Sequence, residues 1–367
     1  RRQRQMCIRD RCGAISKKHL EAFFSNREKI ELSAVCDIVR NNAETVVKEY
    51  INKNYSGTSR FKPAIYTDYI QMLNEQKPDV VAIATSSSSH YPITMAAFES
   101  NAHVIVEKPM ALSTKEAEEI INKAQRKNIK IAVCYIYRFL PHIQKLYHAI
   151  QAGKLGMILH GSILVHWNRN NEYYQKAPWR GTWDKDGGVL MNQCIHGIDL
   201  LQWLMGSEVK KIYGVTRRFL RPIEAEDFGT AILEFKNGAV GTIVGTVNVY
   251  PENHDATLSI FGDTGTVVIG GNHIDTVKTW QIEGELDPHH KENNKLQEKN
   301  VVRQGHSALY NDFIDAIINN REPLINGEEG KKSVDIVLGI YQSAKTCKPV
   351  TFPVNFGLTQ MKHFFDK

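Results

Sequence analysis

The chain has 367 residues, 42% hydrophobic and 23% charged, values that are typical of a globular protein with room for two domains. No apolar run approaches the ~20 residues of a membrane span, and no apolar stretch follows the basic start as in a signal peptide. The formal charge of +6 does not indicate a nucleic-acid partner. The first eleven residues supply most of the excess with five arginines and one aspartate, and the remaining basic residues are scattered among acids.

The cysteines predict reduced thiols in a cytoplasmic protein. Apart from the first two they stand far apart, and none forms a CxxC motif, so neither a disulfide framework nor a zinc site is expected. The six are Cys7, Cys12, Cys36, Cys134, Cys194 and Cys347. The pair His289-His290 adjoins a charged segment and lacks the helical spacing of metal ligands, so we expect no metal.

From Cys12 to about Cys134 the pattern alternates between helices and strands. After "CGAIS", Ser16 can cap a helix whose apolar face contains Leu20, Phe23 and Phe24. Predicted strands with apolar runs follow in "IELSAVCD", "PDVVAIATSSSSH", "HVIVEKP" and "KIAVCY", separated by helical segments. This alternation predicts an α/β Rossmann domain with a doubly wound parallel sheet over residues 12–134.

After about Tyr135 the pattern changes to consecutive strands. "MILHGSILVHW" reads as a strand, and "DGGVLMNQCIHGIDLLQWLMG" as a long apolar helix that stops at Gly206. Asn237-Gly238 and Asp263–Gly265 mark two hairpins, and two helices close the chain. Residues 135–367 are therefore predicted to form an α+β domain with a large, mostly antiparallel open sheet, for substrate binding and oligomerisation.

Two features of the first domain point to a dinucleotide. Gly13, Ala14 and Ile15 form the remnant of a glycine-rich turn that would bring pyrophosphate to a helix N-terminus. Asp37 ends the next predicted strand, 24 residues after Gly13, where an acid can accept ribose hydroxyls. An acid there repels a 2′-phosphate, so NAD is favoured over NADP, although Arg40 leaves NADP open. The alternative is that Asp37 only caps a turn.

Two polar stretches are candidates for the chemistry. Glu107-Lys108-Pro109 ends a predicted parallel strand, where ligands of open α/β sheets bind. In the second domain a polar stripe runs along an otherwise apolar helix at i, i+4, i+7 and i+11. Its members are Asn192, His196, Asp199 and Trp203. A buried polar stripe needs a partner, and a substrate with several hydroxyls would be suitable; a satisfied core histidine is the alternative.

These stretches together resemble one family, the Gfo/Idh/MocA oxidoreductases, named after glucose-fructose oxidoreductase and inositol dehydrogenase. The matches occur in order and span most of residues 12–345. They are "CGAISKKHLEAF", "VCD", "ATSSSSH", "VEKPMALS", "YRFLP", "WRGTWDKDGGVLMNQCIHGIDLLQWLMG" and "GHSALYNDFIDAI".

The resemblance implies roles for particular residues. Lys108 corresponds to the family's catalytic lysine, near the nicotinamide and the reacting hydroxyl, and His196 to its catalytic histidine. The resemblance also implies a cis Lys108-Pro109 bond that would direct this lysine. Cofactor contacts are expected from the loop that contains Thr85, Ser86 and His90, and from Glu107.

The chain differs from the common family pattern at Asn192, where many sugar dehydrogenases of the family have an aspartate. An aspartate can orient and charge an imidazole, whereas asparagine can only donate or accept a hydrogen bond. Asparagine in this place is similar to the branch that acts on nucleotide sugars, such as UDP-N-acetylglucosaminuronate 3-dehydrogenases.

The segment Val165–Trp183 is rich in aromatic residues and arginines. These side chains could stack on sugar or pyrophosphate, with Arg180 as an anion or cofactor contact, or they could pack as a collar. Tyr135 and Arg138 begin the predicted second domain and are further substrate candidates.

The resemblance implies an NAD-dependent dehydrogenase that oxidises a ring hydroxyl of a sugar or nucleotide sugar to a ketone. Lys108 and His196 would handle the proton, with Asn192 beside them. Alternatives are an inositol or free-sugar dehydrogenase, an NAD-dependent glycoside hydrolase, and a sugar-sensing regulator without catalysis. The expected partners are the small-molecule substrate and further copies of the chain, as a dimer or tetramer, without nucleic acid or membrane.

The first eleven residues do not read as a buried central strand. The run "RRQRQMCIRD" equals the translation of a transposon adapter used in sequencing libraries, and Arg11 occupies the place of the family's first glycine. We interpret residues 1–11 as adapter-derived and the natural first strand as truncated. Burying Arg9 or Arg11 would be costly, so weak NAD binding and marginal folding are expected for this chain.

Overall fold

The computed structural model describes residues 4–10, 15–53, 62–284 and 301–366, with the side chains of residues 305–366 in the last of these ranges. The chain divides into two compact units. The first consists of residues up to Ala111, Glu116–Ile136 and Arg303–Gly330, and the second of Leu112–Lys115, Tyr137–Val302 and Lys331–Lys367.

The first unit is built on a six-stranded sheet in which every neighbouring pair is parallel. Its strands are β1 (Arg4–Asp10), β2 (Ile30–Cys36), β3 (Ala64–Tyr66), β4 (Val80–Ala84), β5 (His103–Val106) and β6 (Ile131–Val133). Their order is β3-β2-β1-β4-β5-β6. This is the order of a dinucleotide-binding Rossmann sheet, as predicted. All five residues of β4 are buried, as the continuous apolar run predicted.

The position of the first strand is occupied by Arg4–Asp10, so this segment takes the place of the natural strand whose truncation stays a prediction. Backbone atoms of Arg4–Asp10 pair with β2 on one side and β4 on the other, in the centre of the sheet. The hydrogen-bond ladder of a strand is made by main-chain groups, so it does not require the apolar side chains on which the sequence argument depended. The adapter origin of residues 1–11 stays a prediction.

The second unit is built on an eight-stranded sheet. Its strands are β7 (Ile158–His166), β8 (Val209–Arg217), β9 (Phe228–Phe235), β10 (Val240–Thr246), β11 (Asp255–Gly262), β12 (Gly265–Gly270), β13 (Thr276–Ile282) and β14 (Val350–Thr351). The order is β13-β12-β11-β7-β10-β9-β8-β14, and β7 with β10 is the parallel pair among otherwise antiparallel neighbours. The predicted mostly antiparallel sheet is confirmed.

Ten α-helices lie in the described part of the chain. They are α1 (Ser16–Ser25), α2 (Arg40–Lys53), α3 (Tyr69–Gln76), α4 (His90–Glu99), α5 (Thr114–Lys127), α6 (Pro141–Gln151), α7 (Asn171–Gln175), α8 (Ile195–Leu204), α9 (Val301–Ile318) and α10 (Gly327–Thr346). None of these is long and apolar enough to cross a membrane. Ile15, not Ser16, is the N-cap of α1, and no side chain caps that end.

The predicted boundary between residues 134 and 135 differs from the observed division at two places. Tyr135 and Ile136 belong to the first unit, and so do most of α9 and the segment up to Gly330. Asn26 donates from α1 to the Ser307 carbonyl at 3.2 Å, and the backbone NH of Val133 donates to the Ile325 carbonyl at 3.0 Å. These contacts join segments separated by more than 190 residues, which the order of elements along the chain cannot reveal.

A π-helical turn, Leu190–Cys194, leads directly into α8 and packs on the second sheet. Two glycines of the sheet permit its close approach. A Cβ on Gly245 would lie 2.4 Å from Cys194 Sγ, and one on Gly229 would lie 2.5 Å from Leu190 Cδ1. Strands β9 and β10 thus determine where this turn lies, and the turn carries Asn192.

Candidate active-site elements

Polar residues follow three parallel strands of the first unit at one edge of the sheet. Asp37 follows β2, Thr85 follows β4, and Glu107 with Lys108 follows β5. The strand order reverses direction between β1 and β4, which places the ligand crevice of an open α/β sheet at this edge. These polar residues and the topology of the sheet therefore fit the binding of a dinucleotide.

Asp37 is 1% exposed and forms the turn that the alternative interpretation foresaw. Its Oδ1 accepts a hydrogen bond from the backbone NH of Val39 at 2.7 Å, and Asn42 Nδ2 lies 3.4 Å from both carboxylate oxygens. The capping role is thus observed, and ribose binding by the same carboxylate stays a prediction.

The serine loop after β4 is held by His90. Ser87–Ser89 forms a short 3₁₀ helix that leads into α4, and Ser86 Oγ lies 3.3 Å from Ser89 Oγ. His90 is 1% exposed, with Nδ1 2.7 Å from the Pro109 carbonyl and Nε2 3.1 Å from the Thr85 carbonyl. Burial lowers the pKa of His90, so we assign a neutral ring that donates to Pro109 through the shorter contact. Both ring nitrogens of His90 thus contact backbone carbonyls, and its predicted cofactor contact stays a prediction.

Lys108 stands at the turn after β5. It is half-buried, the Lys108-Pro109 bond is cis as predicted, and its backbone NH donates to Glu107 Oε2 at 3.2 Å. The side chain of Glu107 thus contacts the backbone of the residue that the family resemblance makes catalytic.

Glu107 is the centre of a buried polar cluster. Glu107 Oε1 accepts from His19 Nε2 at 3.1 Å and from His306 Nε2 at 3.2 Å, and His19 Nδ1 accepts from the Tyr310 hydroxyl at 2.8 Å. Burial opposes ionisation, but the hydrogen bonds from both imidazoles outweigh it and hold the pKa of Glu107 well below its usual value. Burial lowers the pKa of His19, which is consistent with a neutral ring donating to a charged carboxylate.

The same cluster brings potential metal ligands together. His19, Glu107 and Cys134 have ligand atoms within 4.8 Å of one another. The imidazole–carboxylate distances are those of hydrogen bonds, which account for the arrangement without an ion. His289-His290 lies outside the described residues.

In the second unit, the predicted polar stripe is partly accessible. From Val189 to Leu204 every residue is buried except Asn192, His196 and Trp203. Because positions i, i+4 and i+11 share one helical face, these three side chains mark the accessible side of α8 and its preceding turn. A π-helical turn at this position is a feature often found at functional sites.

The two accessible polar residues are held by neighbours that the sequence interpretation missed. Asn192 Nδ2 donates to Asp186 Oδ1 at 2.7 Å and Oδ2 at 2.9 Å. The His196 ring stacks on Tyr137, with centroids 4.9 Å apart and planes at 24°. Tyr137 lies within "YRFLP" and Asp186 within "DGG", two motifs that carried the family resemblance without being assigned a role.

Asp199 and Arg138 form a buried ion pair. Arg138 Nε and Nη2 donate to the two oxygens of Asp199 at 2.8 and 2.7 Å, and both residues are 0% exposed. Ser333 also donates to Asp199 Oδ1, at 2.9 Å. A buried guanidinium requires such a partner, so the ion pair accounts for the position of Arg138 without a substrate, and its predicted substrate contact stays a prediction. Tyr135 is 1% exposed, and its predicted substrate contact also stays a prediction.

The aromatic and basic segment packs largely on itself. The Arg180 guanidinium lies 4.0 Å from the ring centroid of Tyr173 and donates from Nη1 to the Tyr173 carbonyl at 2.7 Å. The Arg169 guanidinium lies 4.9 Å from the ring centroid of Trp167 and 5.4 Å from that of Tyr173. The collar interpretation is observed, and a cofactor contact by Arg180 stays a prediction.

Of the glycine-turn residues, Gly13 and Ala14 lie outside the described residues. Ile15 is described, and its carbonyl accepts from the backbone NH groups of Lys18 and His19 at the start of α1.

Comparison with known proteins agrees with both units. The family model of the oxidoreductases with an NAD-binding Rossmann fold, Gfo/Idh/MocA, matches residues 12–135. The Gfo/Idh/MocA C-terminal domain model matches residues 143–268.

Three similar proteins cover nearly the whole chain. A WlbA dehydrogenase from Bordetella pertussis, solved in complex with NADH and UDP-GlcNAcA, is 29% identical, covers 96% of this chain and 100% of its own, and has a TM-score of 0.84. The uncharacterized oxidoreductase YrbE of Bacillus subtilis is 25% identical over 92% of this chain and 94% of its own length. An NAD(+)-dependent scyllo-inositol 2-dehydrogenase of the same organism is 22% identical over 95% and 96%. The chain belongs to the Gfo/Idh/MocA family of NAD-dependent oxidoreductases.

Proposed function

We propose that the protein is an NAD-dependent dehydrogenase that oxidises a ring hydroxyl of a nucleotide sugar to a ketone. The observation that carries the proposal is the pair Asn192 and His196, which are half-buried on α8 and its preceding turn, where every other residue from Val189 to Leu204 except Trp203 is buried. An amide and an imidazole together can accept and donate hydrogen bonds to sugar hydroxyls. The WlbA dehydrogenase crystallised with UDP-GlcNAcA supports a nucleotide sugar.

The residues of the chain would divide the work as follows. NAD accepts the hydride of the donor carbon when it is bound. The hydroxyl proton passes to Lys108 in its neutral form, with His196 as the second proton-handling group, so that the alcohol loses one hydride and one proton. Glu107 fixes the backbone of Lys108, and Asn192 accepts a hydrogen bond from a substrate hydroxyl. Asp37, Thr85, Ser86 and Arg180 remain the proposed cofactor contacts.

Replacing Lys108 with methionine tests the assignment. We expect Lys108→Met to bind NAD with wild-type affinity, measured by calorimetry, and to lose at least ~100-fold in turnover, because general acid–base catalysis contributes that much. Lys48→Met, at an exposed lysine of the same unit, is the matched control and should be fully active. The assay follows NADH formation on a panel of UDP-sugars, free sugars and inositols. Near wild-type turnover of Lys108→Met would exclude the lysine from the chemistry.

The panel also separates the alternatives. NADH formed from scyllo-inositol or free sugars, and not from UDP-sugars, would favour a free-polyol dehydrogenase. Release of an aglycone from a glycoside without accumulation of NADH would indicate hydrolysis by transient oxidation. NAD binding without any turnover would favour a regulator.

We further propose a homo-oligomer formed through the outer face of the eight-stranded sheet, in the cytoplasm that the cysteine pattern predicts. Tyr213 and Ile232 are cross-strand partners on β8 and β9, and they are 44% and 54% exposed. Exposed apolar pairs of this kind are typical of subunit interfaces. Light scattering should give at least a dimer for the wild type and a smaller species for Ile232→Glu. A monomeric wild type would refute this part of the proposal.

A further inference from the structure

Asp186 is a buried carboxyl group directed at Asn192, a residue at which the chain departs from the common family pattern. It is 2% exposed, and both of its oxygens accept from Asn192 Nδ2, at 2.7 and 2.9 Å. Its Oδ2 also accepts from the backbone NH of Gly181 at 3.0 Å. All three residues belong to the second unit.

The Asp186 contact determines the orientation of the Asn192 amide. Both carboxyl oxygens of Asp186 accept from the NH₂ group of Asn192, so this end of the amide faces Asp186. The other end of the amide, the carbonyl oxygen Oδ1, is then directed away from Asp186. An asparagine without such a neighbour could present either end, because its two ends have nearly the same shape.

The position of Gly181 adds to the rigidity of this arrangement. Gly181 has a φ of +70°, and a Cβ there would lie 2.7 Å from the Cβ of Ile223. Its NH therefore reaches Asp186 Oδ2 from a backbone conformation that favours glycine. The carboxylate is thus bound on two sides, by a main-chain donor and by Asn192.

We propose that Asp186 is a positioning residue that fixes Asn192 with its carbonyl oxygen toward the substrate. It also places a carboxyl group one hydrogen bond behind position 192, where many relatives have the carboxyl group itself. The chain would thus retain a carboxylate in the site while offering the substrate a neutral acceptor. This inference rests on the proposed function, because it assigns a role in the same reaction.

Exchanging the two residues tests the inference. In Asp186→Asn the amide of Asn192 loses its fixed orientation, and in Asn192→Asp two carboxylates adjoin without a donor between them. We expect each single variant to lose about tenfold or more in kcat, which corresponds to coupling energies typical of hydrogen-bonded pairs. In the double variant Asp186→Asn/Asn192→Asp, the new amide can donate to residue 192 and accept from Gly181. It should therefore recover kcat to within about threefold of wild type.

Two further variants complete the cycle. Asp184→Asn changes an exposed neighbour and should leave kcat unchanged. In an Asn192→Ala background, Asp186→Asn should cause no further loss, because Asp186 acts through Asn192. If the losses multiply in both double variants, or if Asp186→Asn lowers thermal stability alone and leaves kcat intact, the inference is overturned.

A measurement without substrate keeps this inference separate from the proposed function. The side-chain NH₂ signal of Asn192, assigned by its loss in Asn192→Asp, should be protected from hydrogen exchange in the wild type and unprotected in Asp186→Asn. Equal exchange in both proteins would contradict the inference even if no substrate were found. Protection without turnover on any substrate would leave the hydrogen bond in place and refute the proposed function instead.

Discussion

Two buried glutamates, one in each unit, have opposite protonation behaviour. Glu107 follows β5 in the first unit and Glu226 precedes β9 in the second, and both are almost fully buried. The pKa of Glu107 is held well below its usual value, whereas burial raises the pKa of Glu226 to about 8. Burial alone therefore does not decide the charge of a carboxyl group; its hydrogen-bond partners do.

The partners of the two groups differ in number and kind. Glu107 accepts from two imidazoles and from the backbone NH of Lys108, and it interacts with the Cys134 thiol. At Glu226, the Leu190 NH and the Tyr341 hydroxyl both bind Oε1, at 2.9 and 2.8 Å, and the charge of Asp227 adds repulsion. Its Oε2 is buried without a hydrogen bond. The first site supports an anion, and the second favours the protonated acid.

The largest effect is expected from breaking the Glu107 site. Glu107→Gln replaces an anion that accepts several hydrogen bonds with a neutral amide, and we expect it to lower the free energy of unfolding by ~3 kcal/mol. Urea denaturation at neutral pH measures the change. Glu99→Gln is the matched control, because Glu99 is exposed and pairs with Lys123 and Lys127, and it should cost less than ~1 kcal/mol.

The difference in stability between wild type and Glu107→Gln should depend on pH. The pKa of Glu107 is lower in the folded state than in the unfolded chain, so its contribution is present above about pH 4.3 and is lost as the pH falls toward the folded pKa. The gap between wild type and Glu107→Gln should therefore shrink in acid. A gap that widens below pH 4 would mean that the carboxyl is neutral in the native protein.

A pH-dependent effect of the opposite sign is expected at Glu226. Its folded pKa of about 8 lies above that of the unfolded chain, so the native state binds the extra proton between these values. Stability should fall as the pH rises from about 5 to 8, by at most ~1.4 kcal/mol per pH unit from this group. Glu226→Gln removes the titration, and its stability relative to wild type should improve steadily over that range. Parallel stability curves for the two proteins between pH 5 and 9 would contradict the assignment of a neutral Glu226.

The candidate site residues of the two units differ in how far the sequence could predict them and their contacts. Lys108 followed from the tripeptide at a strand end and its cis bond from the family resemblance, and the accessible pair Asn192 and His196 followed from helical spacing. The contact between Asp186 and Asn192 spans six residues, a separation short enough for the sequence to suggest that the two side chains lie close together. The hydrogen bonds from His19 and His306 to Glu107 could not be predicted from local spacing, because the two histidines are 88 and 199 residues away in the sequence.

Other differences have the same physical origin. The partner of Asp199 on the polar stripe is Arg138, 61 residues earlier, so a stripe that suggested a substrate contains half of a buried ion pair. Segment Arg303–Gly330 joins the first unit although it follows seven of the eight strands of the second sheet in the sequence. Hydrophobic periodicity indicates which face of a helix or strand is buried, whereas tertiary contacts determine which residues that face packs against.

The most direct measurement for the whole account is NADH formation by the full chain with NAD and a UDP-sugar, for the wild type and Lys108→Met side by side. We expect the wild type to accumulate NADH together with an equal amount of keto-sugar, and Lys108→Met to bind NAD without forming either product. NADH formation at equal rates by both proteins, or a failure of the wild type to reduce NAD with every sugar, sugar nucleotide and inositol of the panel, would contradict it.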